Sequence, residues 1–221
     1  MEKKVLQLKT KRLRIIPMSD EEMEQMIAET NDEELKQAYQ KMLDGCLKDA
    51  GNRLWYTAWK ICLKENMQLV GTAGFKGPAE SYSVEIGYGI TEEYEGNGYA
   101  VEAAKALIEW AFAQENVFFV EAETAPDNTA SMKVLEKLSF KPDRTGKEGP
   151  RFVLEKSEML WMPIYMCFGL SIGISLGTAA NNMTMGMCLG MAIGLCIGSA
   201  LDMTLQKKRT RIRAEREQKI K

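Results

Sequence analysis

The chain has 221 residues, with 29 Lys and Arg against 31 Asp and Glu, and no histidine. The missing imidazole excludes Ser-His-Asp and Cys-His nucleophilic systems, histidine-containing zinc sites and histidine as a general base. The charge is unevenly spread: residues 1–156 are acidic, 157–206 hold two acids and no base, and 207–221 hold eight bases against two acids. An acidic main body argues against nucleic-acid binding.

In chain order, residues 5–16 alternate as a first strand that Pro17 ends. No secretory signal is expected, because the charged start at Met1-Glu2-Lys3-Lys4 lacks an apolar run. Ser19 with Glu22 forms a capping-box pattern before Met23, Met26 and Ile27. Asn31 with Glu34 repeats it before Leu35, Ala38, Tyr39, Met42, Leu43 and Cys46, an amphipathic face. Residues 55–63 alternate as a strand, Glu65-Asn66 reads as a turn, and 68–76 as the return strand. Cys46, Cys62, Cys167, Cys188 and Cys196 form no CxxC pair. They read as small buried hydrophobes in a reducing compartment, not as a disulfide framework.

Residues 83–90 (SVEIGYGI) form a strand that leads into EGNGYA, residues 95–100, and then into a helix. Ala100, Ala104, Leu107, Ile108, Ala111 and Phe112 recur there at helical spacing. A strand, a Gly-rich turn and a helix start leave backbone N–H groups open to an anion. Gly96 and Gly98 permit a sharp turn and a close approach, so the loop is a candidate diphosphate cradle; the plainer alternative is a turn that only turns. Within the strand, Val84, Ile86, Tyr88 and Ile90 share one face, and Glu85, Gly87 and Gly89 the other. The two glycines leave room beside Glu85 for a ligand, although Glu85 also suits a solvated strand face. Residues 117–124 read as the next strand, and Pro126-Asp127-Asn128 opens a helix that stops near Pro142. The charged stretch 143–151 is expected to be a loop before a last strand at 151–155. The GxGxxG pattern is not completed after Gly96 and Gly98, and no P-loop is present.

The text VEIGYGITEEYEGNGYAVEAAKALIEWAF followed by DNTASMKVLEKLSF resembles the GNAT acetyltransferases, particularly the branch similar to ribosomal-protein N-terminal acetyltransferases. The resemblance covers residues 5–156. It implies a mixed, mostly antiparallel α/β sheet flanked by helices, and acetyl-CoA as cosubstrate without a metal. It also implies a diphosphate held by main-chain amides of Glu95, Gly96, Asn97, Gly98, Tyr99 and Ala100. The family pattern has Gln or Arg, two residues, Gly, one residue, then Gly or Ala. Gly98 and Ala100 match, but Glu95 stands at the Gln/Arg position and brings a carboxylate near the diphosphate.

Acetyl transfer to an amine needs a base and a proton for the leaving thiolate, and a carboxylate acting directly or through water can be that base. Glu85 is the candidate base. The resemblance puts Asn128 near the pantetheine arm and makes Ser131 the candidate thiolate proton donor. An ordinary N-cap at Asn128 and an ordinary first-turn serine at Ser131 remain open alternatives. Tyr94 and Tyr99 read as packing residues.

Residues 159–201 contain no charged side chain, a length that suits two membrane-spanning helices. Asn181-Asn182 divides them. Gly169, Gly173 and Gly177, then Gly186, Gly190, Gly194 and Gly198, recur every fourth residue on one stripe per helix, a glycine-zipper hairpin. Lys207, Lys208, Arg209, Arg211 and Arg213 follow at once, which places that end in the cytoplasm under the positive-inside rule. The expected organisation is a GNAT-like domain over 1–157, a transmembrane hairpin over 158–206 and a basic cytoplasmic tail over 207–221. The expected function is acetyl transfer from acetyl-CoA to a primary amine, a protein N-terminus or a small amine, at the cell membrane. The glycine stripes offer a homo-oligomer interface. Alternatives are a CoA-binding sensor or pseudoenzyme, a pore or assembly element built on the hairpin, and a soluble helical pair buried in an oligomer.

Overall fold

The computed structural model describes residues 6–157 and 160–220, the side chain of Ile220 excepted. Its contacts divide the chain into two compact units, Met1–Lys156 and Ser157–Lys221.

The first unit begins with β1 (Leu8–Lys9), β2 (Leu13–Pro17), α1 (Asp20–Glu29), α2 (Glu33–Lys48) and α3 (Arg53–Tyr56). It continues with β3 (Trp59–Leu63), β4 (Leu69–Phe75), β5 (Ser83–Ile90), α4 (Tyr99–Phe112) and β6 (Phe119–Glu123). It closes with α5 (Thr129–Lys137), β7 (Lys141–Thr145) and β8 (Pro150–Glu155). The strands form one sheet in the order β1-β2-β3-β4-β5-β6-β8-β7. Among the described residues only β5 and β6 pair in parallel; the other neighbours are antiparallel.

Strand alternation decides what each face covers. Trp59, Ile61, Phe75, Val84, Ile86 and Val120 point to one side and pack with Ala103, Ala104, Leu107 and Ala111 of α4. Each large side chain buried there contributes about 1.5–3 kcal/mol. Trp110 of α4 stacks among Trp55, Trp59 and Phe75, with ring centroids 4.6, 5.3 and 5.7 Å away. On the other side α1 and α2 bury Met23, Tyr39, Leu43 and Cys46, and the Tyr39 hydroxyl meets Thr72 Oγ1 of β4 at 3.2 Å. Ser19 and Glu22 form the capping box read from the sequence.

Several local expectations are corrected. The first strand is two strands, because Thr10 and Leu13 close a tight turn, the Thr10 amide donating to the Leu13 carbonyl at 3.0 Å; Val5 lies outside the described residues. The cap of α2 is Asp32, not Asn31: its carboxylate accepts from the amides of Glu34 and Leu35. Residues 53–56 turn as helix, since Trp55 is drawn into the aromatic cluster, and the strand starts at Trp59. The expected loop at 143–151 contains much of β7, an edge strand whose two exposed faces tolerate charge and whose edge position tolerates Pro142.

The second unit is a helical hairpin, α6 (Trp161–Ala179) and α7 (Met183–Ile220). Asn181, with φ +54°, makes the turn. The glycines face each other across the pair. A Cβ on Gly169 would collide with the Gly190 carbonyl, one on Gly173 with that of Gly186, and one on Gly194 with that of Tyr165, all well inside 3.0 Å. At the open end, Asp202 of α7 accepts from the Trp161 and Met162 amides at 2.8 and 3.0 Å, capping α6. The glycine stripes thus face each other within the chain, and α7 continues as helix through the basic stretch to Ile220. One sequence expectation changes here. Cys167, Cys188 and Cys196 are exposed on the hairpin, whereas Cys46 and Cys62 are buried and burial pushes their thiols up.

Candidate active site

The loop before α4 is shaped by backbone conformation. Gly96 and Gly98 sit at φ +75° and +77°, the left-handed region that glycine enters freely. Asn97 braces the turn by donating from Nδ2 to the carbonyls of Tyr94 and Glu95, both at 3.1 Å. Gly98 is the N-cap of α4 and offers no capping side chain. Among the described residues no hydrogen bond ends on the amides of residues 96–101. Six consecutive donors therefore lie open at the positive end of a 14-residue helix. A Cβ on Gly96 would meet nothing within 4 Å, so a ligand can reach this backbone. The row of amides suits the diphosphate of CoA in donor chemistry. Tyr94 and Tyr99 pack partly buried against the core.

Beside the loop the sheet opens. The β5–β6 ladder pairs Ser83, Val84 and Glu85 with Phe119, Val120 and Glu121, and there it stops. Residues 86–90 of β5 continue along β4 alone, while β6 continues along β8. The edge of β5 that faces away from β4 is thus open over its second half.

Glu85, Gly87 and Gly89 lie on the sheet face opposite α4, and a Cβ on either glycine would meet nothing within 4 Å. Glu85 does not stand as an isolated carboxylate there. Arg151 of β8 and Lys76 both contact it. Arg151 also pairs with Glu121 at 3.3 Å and Glu123 at 3.2 Å, and Arg144 pairs with Glu121 at 3.3 Å. Burial pulls the Lys76 ammonium down, but Glu85, then Glu148, outweigh it and leave its pKa raised. Burial likewise works against the Glu123 carboxylate, and the amides of Glu148 and Gly149 overcome it and hold its pKa below the ordinary range. The open face is floored by charge-paired carboxylates.

At the third wall, Asn128 Oδ1 accepts from the Ser131 amide at 2.9 Å, so Asn128 is the N-cap of α5. Ser131 sits in the first turn, and its carbonyl accepts from the Tyr88 hydroxyl at 3.4 Å. Burial raises the Tyr88 phenol's pKa, opposed by that bond. Through Tyr88 the start of α5 is tied to the open half of β5, near the glycines. Ser131 thus borders the open half of β5 through Tyr88, which packs on the core side of the strand. Residues 95–100 follow the end of that strand, and Glu85 lies on its other face. Sequence reading missed Tyr88, Lys76 and Arg151 as site residues. Only the alternation around Glu85 hinted at the ion pairs.

A mixed sheet that parts beside a row of free amides defines an acetyltransferase fold. The family described as acetyltransferase (GNAT) domain matches residues 12–141, and the chain belongs to it. The chain is 42% identical over 86 residues to the uncharacterized N-acetyltransferase YjdG of Bacillus subtilis (strain 168), covering 38% of this chain and 51% of that protein. It is 36% identical over 109 residues to the uncharacterized N-acetyltransferase p20 of Bacillus licheniformis, covering 49% and 58%. The chain therefore spans about half the length of these curated relatives. Its fold is similar to that of a ribosomal L7/L12 alpha-N-protein acetyltransferase solved in complex with coenzyme A. That likeness has a TM-score of 0.54 and 13% identity, over 68% of this chain and 98% of that one. At such identity the likeness is one of fold alone.

Proposed function

We propose that the protein transfers an acetyl group from acetyl-CoA to a primary amine, a protein N-terminus or a small amine, as a membrane-tethered N-acetyltransferase. The observation that carries this reading is the row of free amides at 96–101 beside the strand that parts from β6. The amides take the diphosphate, and the open edge of β5 takes the pantetheine arm by backbone pairing. The cosubstrate supplies an acetyl thioester. The amine nitrogen forms the new C–N bond as the C–S bond breaks. Glu85 takes the amine proton, through water because two cations already hold its oxygens. Ser131 gives a proton to the departing thiolate and recovers one from solvent. Gly87 and Gly89 leave room for the acceptor over the open face.

The hairpin supports the tether. Both α6 and α7 are long and apolar enough to cross a membrane. Their outward side chains, among them Phe168, Ile172, Leu176, Met185 and Leu189, are exposed and apolar, unlike a helix buried in a soluble core. The 19 residues of α6 rise about 28 Å, near the ~30 Å hydrocarbon thickness. The basic end of α7 supports a cytoplasmic side for both ends of the hairpin under the positive-inside rule.

The test has two arms. Purified protein with acetyl-CoA and a mixed amine and peptide library should release free CoA thiol. Full-length protein should stay with membranes through high-salt and carbonate washes. CoA binding with no turnover on any acceptor would favour the sensor reading, for which Glu95 is the motivating residue. Release by salt alone would leave the basic end of α7 as a peripheral attachment and remove the spanning hairpin.

A further inference from the structure

The acidic setting of the diphosphate cradle poses a charge problem. Glu92, Glu93 and Glu95 occupy the turn that enters the loop, and Glu102 lies in the first turn of α4. Free amides alone would receive an anion among these carboxylates. A cation is needed, and the side chain in place is Arg12, from the turn between β1 and β2.

Arg12 Nε donates to Glu102 Oε2 at 2.7 Å, and its NH1 donates to the Asn97 carbonyl, inside the loop, at 3.0 Å. The guanidinium lies 4.7 Å over the Tyr99 ring. Glu102 is itself fixed by the Thr10 hydroxyl at 2.6 Å and the Arg12 amide at 2.8 Å. Burial works against the Glu102 carboxylate, but these bonds prevail and hold its pKa below the ordinary range, so it stays an anion that can orient Arg12. The NH2 group stands 3.7 Å from the point where a Cβ on Gly98, the N-cap of α4, would sit. Among the described residues no hydrogen bond uses it. The group is aimed on three sides and open on the fourth.

We propose that Arg12 is a cofactor-binding residue that supplies the cationic contact to the CoA diphosphate, and that Glu102 is the positioning residue that aims it. This rests on the acetyl-CoA reading above. A planar guanidinium held at both Nε and NH1 keeps its NH2 donors in a fixed direction for a phosphate oxygen, a pre-organisation in which arginine exceeds lysine. The reach across 90 residues of sequence makes this contact invisible to any reading of the loop motif.

The test is calorimetric binding of CoA and of pantetheine, which lacks the diphosphate, to full-length wild type, Arg12→Lys and Arg12→Gln. Thermal unfolding of each variant serves as the control. Arg12→Gln should weaken CoA by roughly tenfold or more, with Arg12→Lys intermediate, while pantetheine affinity stays the same in all three. CoA affinity should also fall less steeply with salt in Arg12→Gln than in wild type. If Arg12→Gln does not fold, the CoA-to-pantetheine ratio in Arg12→Lys decides alone. Unchanged CoA affinity, or equal losses for CoA and pantetheine, would make Arg12 a brace between the β1–β2 turn and α4 and overturn the inference. Wild type that binds no CoA would remove the acetyl-CoA reading itself, a result distinct from any variant effect.

Discussion

Glycine does opposite work in the two units. In β5 and the loop before α4, a side chain added at Gly87, Gly89 or Gly96 would meet empty space. In α6 and α7, one added at Gly169, Gly173 or Gly190 would strike the backbone of the facing helix. The residue type is shared, but the first set keeps a surface clear and the second brings two helices together. Gly96 and Gly98 carry an added demand, because φ of +75° and +77° disfavours any residue with a Cβ.

The hairpin should respond most strongly to substitution. Gly173→Leu with Gly190→Leu places bulk against carbonyls that cannot rotate away, so α6 and α7 must separate while the segment becomes more apolar. Spin labels on Cys167 and Cys196, with Cys188 replaced, should report a longer separation in detergent. An unchanged distance would mean that the glycines do not set the packing.

Next in size is Gly98. Gly98→Val should abolish CoA binding, but strain at the left-handed position costs about 1–2 kcal/mol, so its unfolding temperature falls as well. Gly98→Asn tolerates the conformation and still crowds the cradle; lost calorimetric binding with a near-normal unfolding temperature would separate occlusion from strain.

On the open sheet face, Gly87→Ala should raise KM for the acceptor and leave the CoA dissociation constant alone. Its neighbour Glu85→Gln should lower kcat by roughly a hundredfold or more at neutral pH, in the range typical of a lost general base. Full activity in Glu85→Gln across the pH range would move the base elsewhere. The smallest effect belongs to Glu95→Gln. It should tighten CoA binding by less than about tenfold, since the residue is exposed and its charge is screened. Weaker binding in Glu95→Gln would contradict the charge argument for the loop.

What sequence made legible was whatever depends on neighbours in the chain. The order β5, glycine loop, α4, β6, α5 is a run of short-range signals: alternation, two glycines, helical spacing, a capping asparagine. The apolar hairpin and its Asn181-Asn182 turn are equally local. Contacts made by folding were not legible. Thr10 and Arg12 reach Glu102 only because β1 and β2 fold back beside α4, and nothing in the text of residues 8–17 announces a partner so far along the chain. Arg151 meets Glu85 because β8 lies next to β6 and β6 next to β5, an order that local alternation does not specify. Edge strand β7 was hidden for another reason: with two solvated faces it needs no apolar residues, so its composition is that of a loop.

Asp202 resolves an ambiguity that the glycine repeat creates. A pattern that returns every four residues is self-similar, so sliding α7 along α6 by one repeat would again set glycine against glycine, with little to separate the two alignments by packing alone. That slip displaces Asp202 by about 6 Å from the amides of Trp161 and Met162. It also moves the bend away from Asn181, the residue that accepts a left-handed backbone. A periodic ruler is thereby given a zero mark at each end, and the hairpin keeps a single alignment.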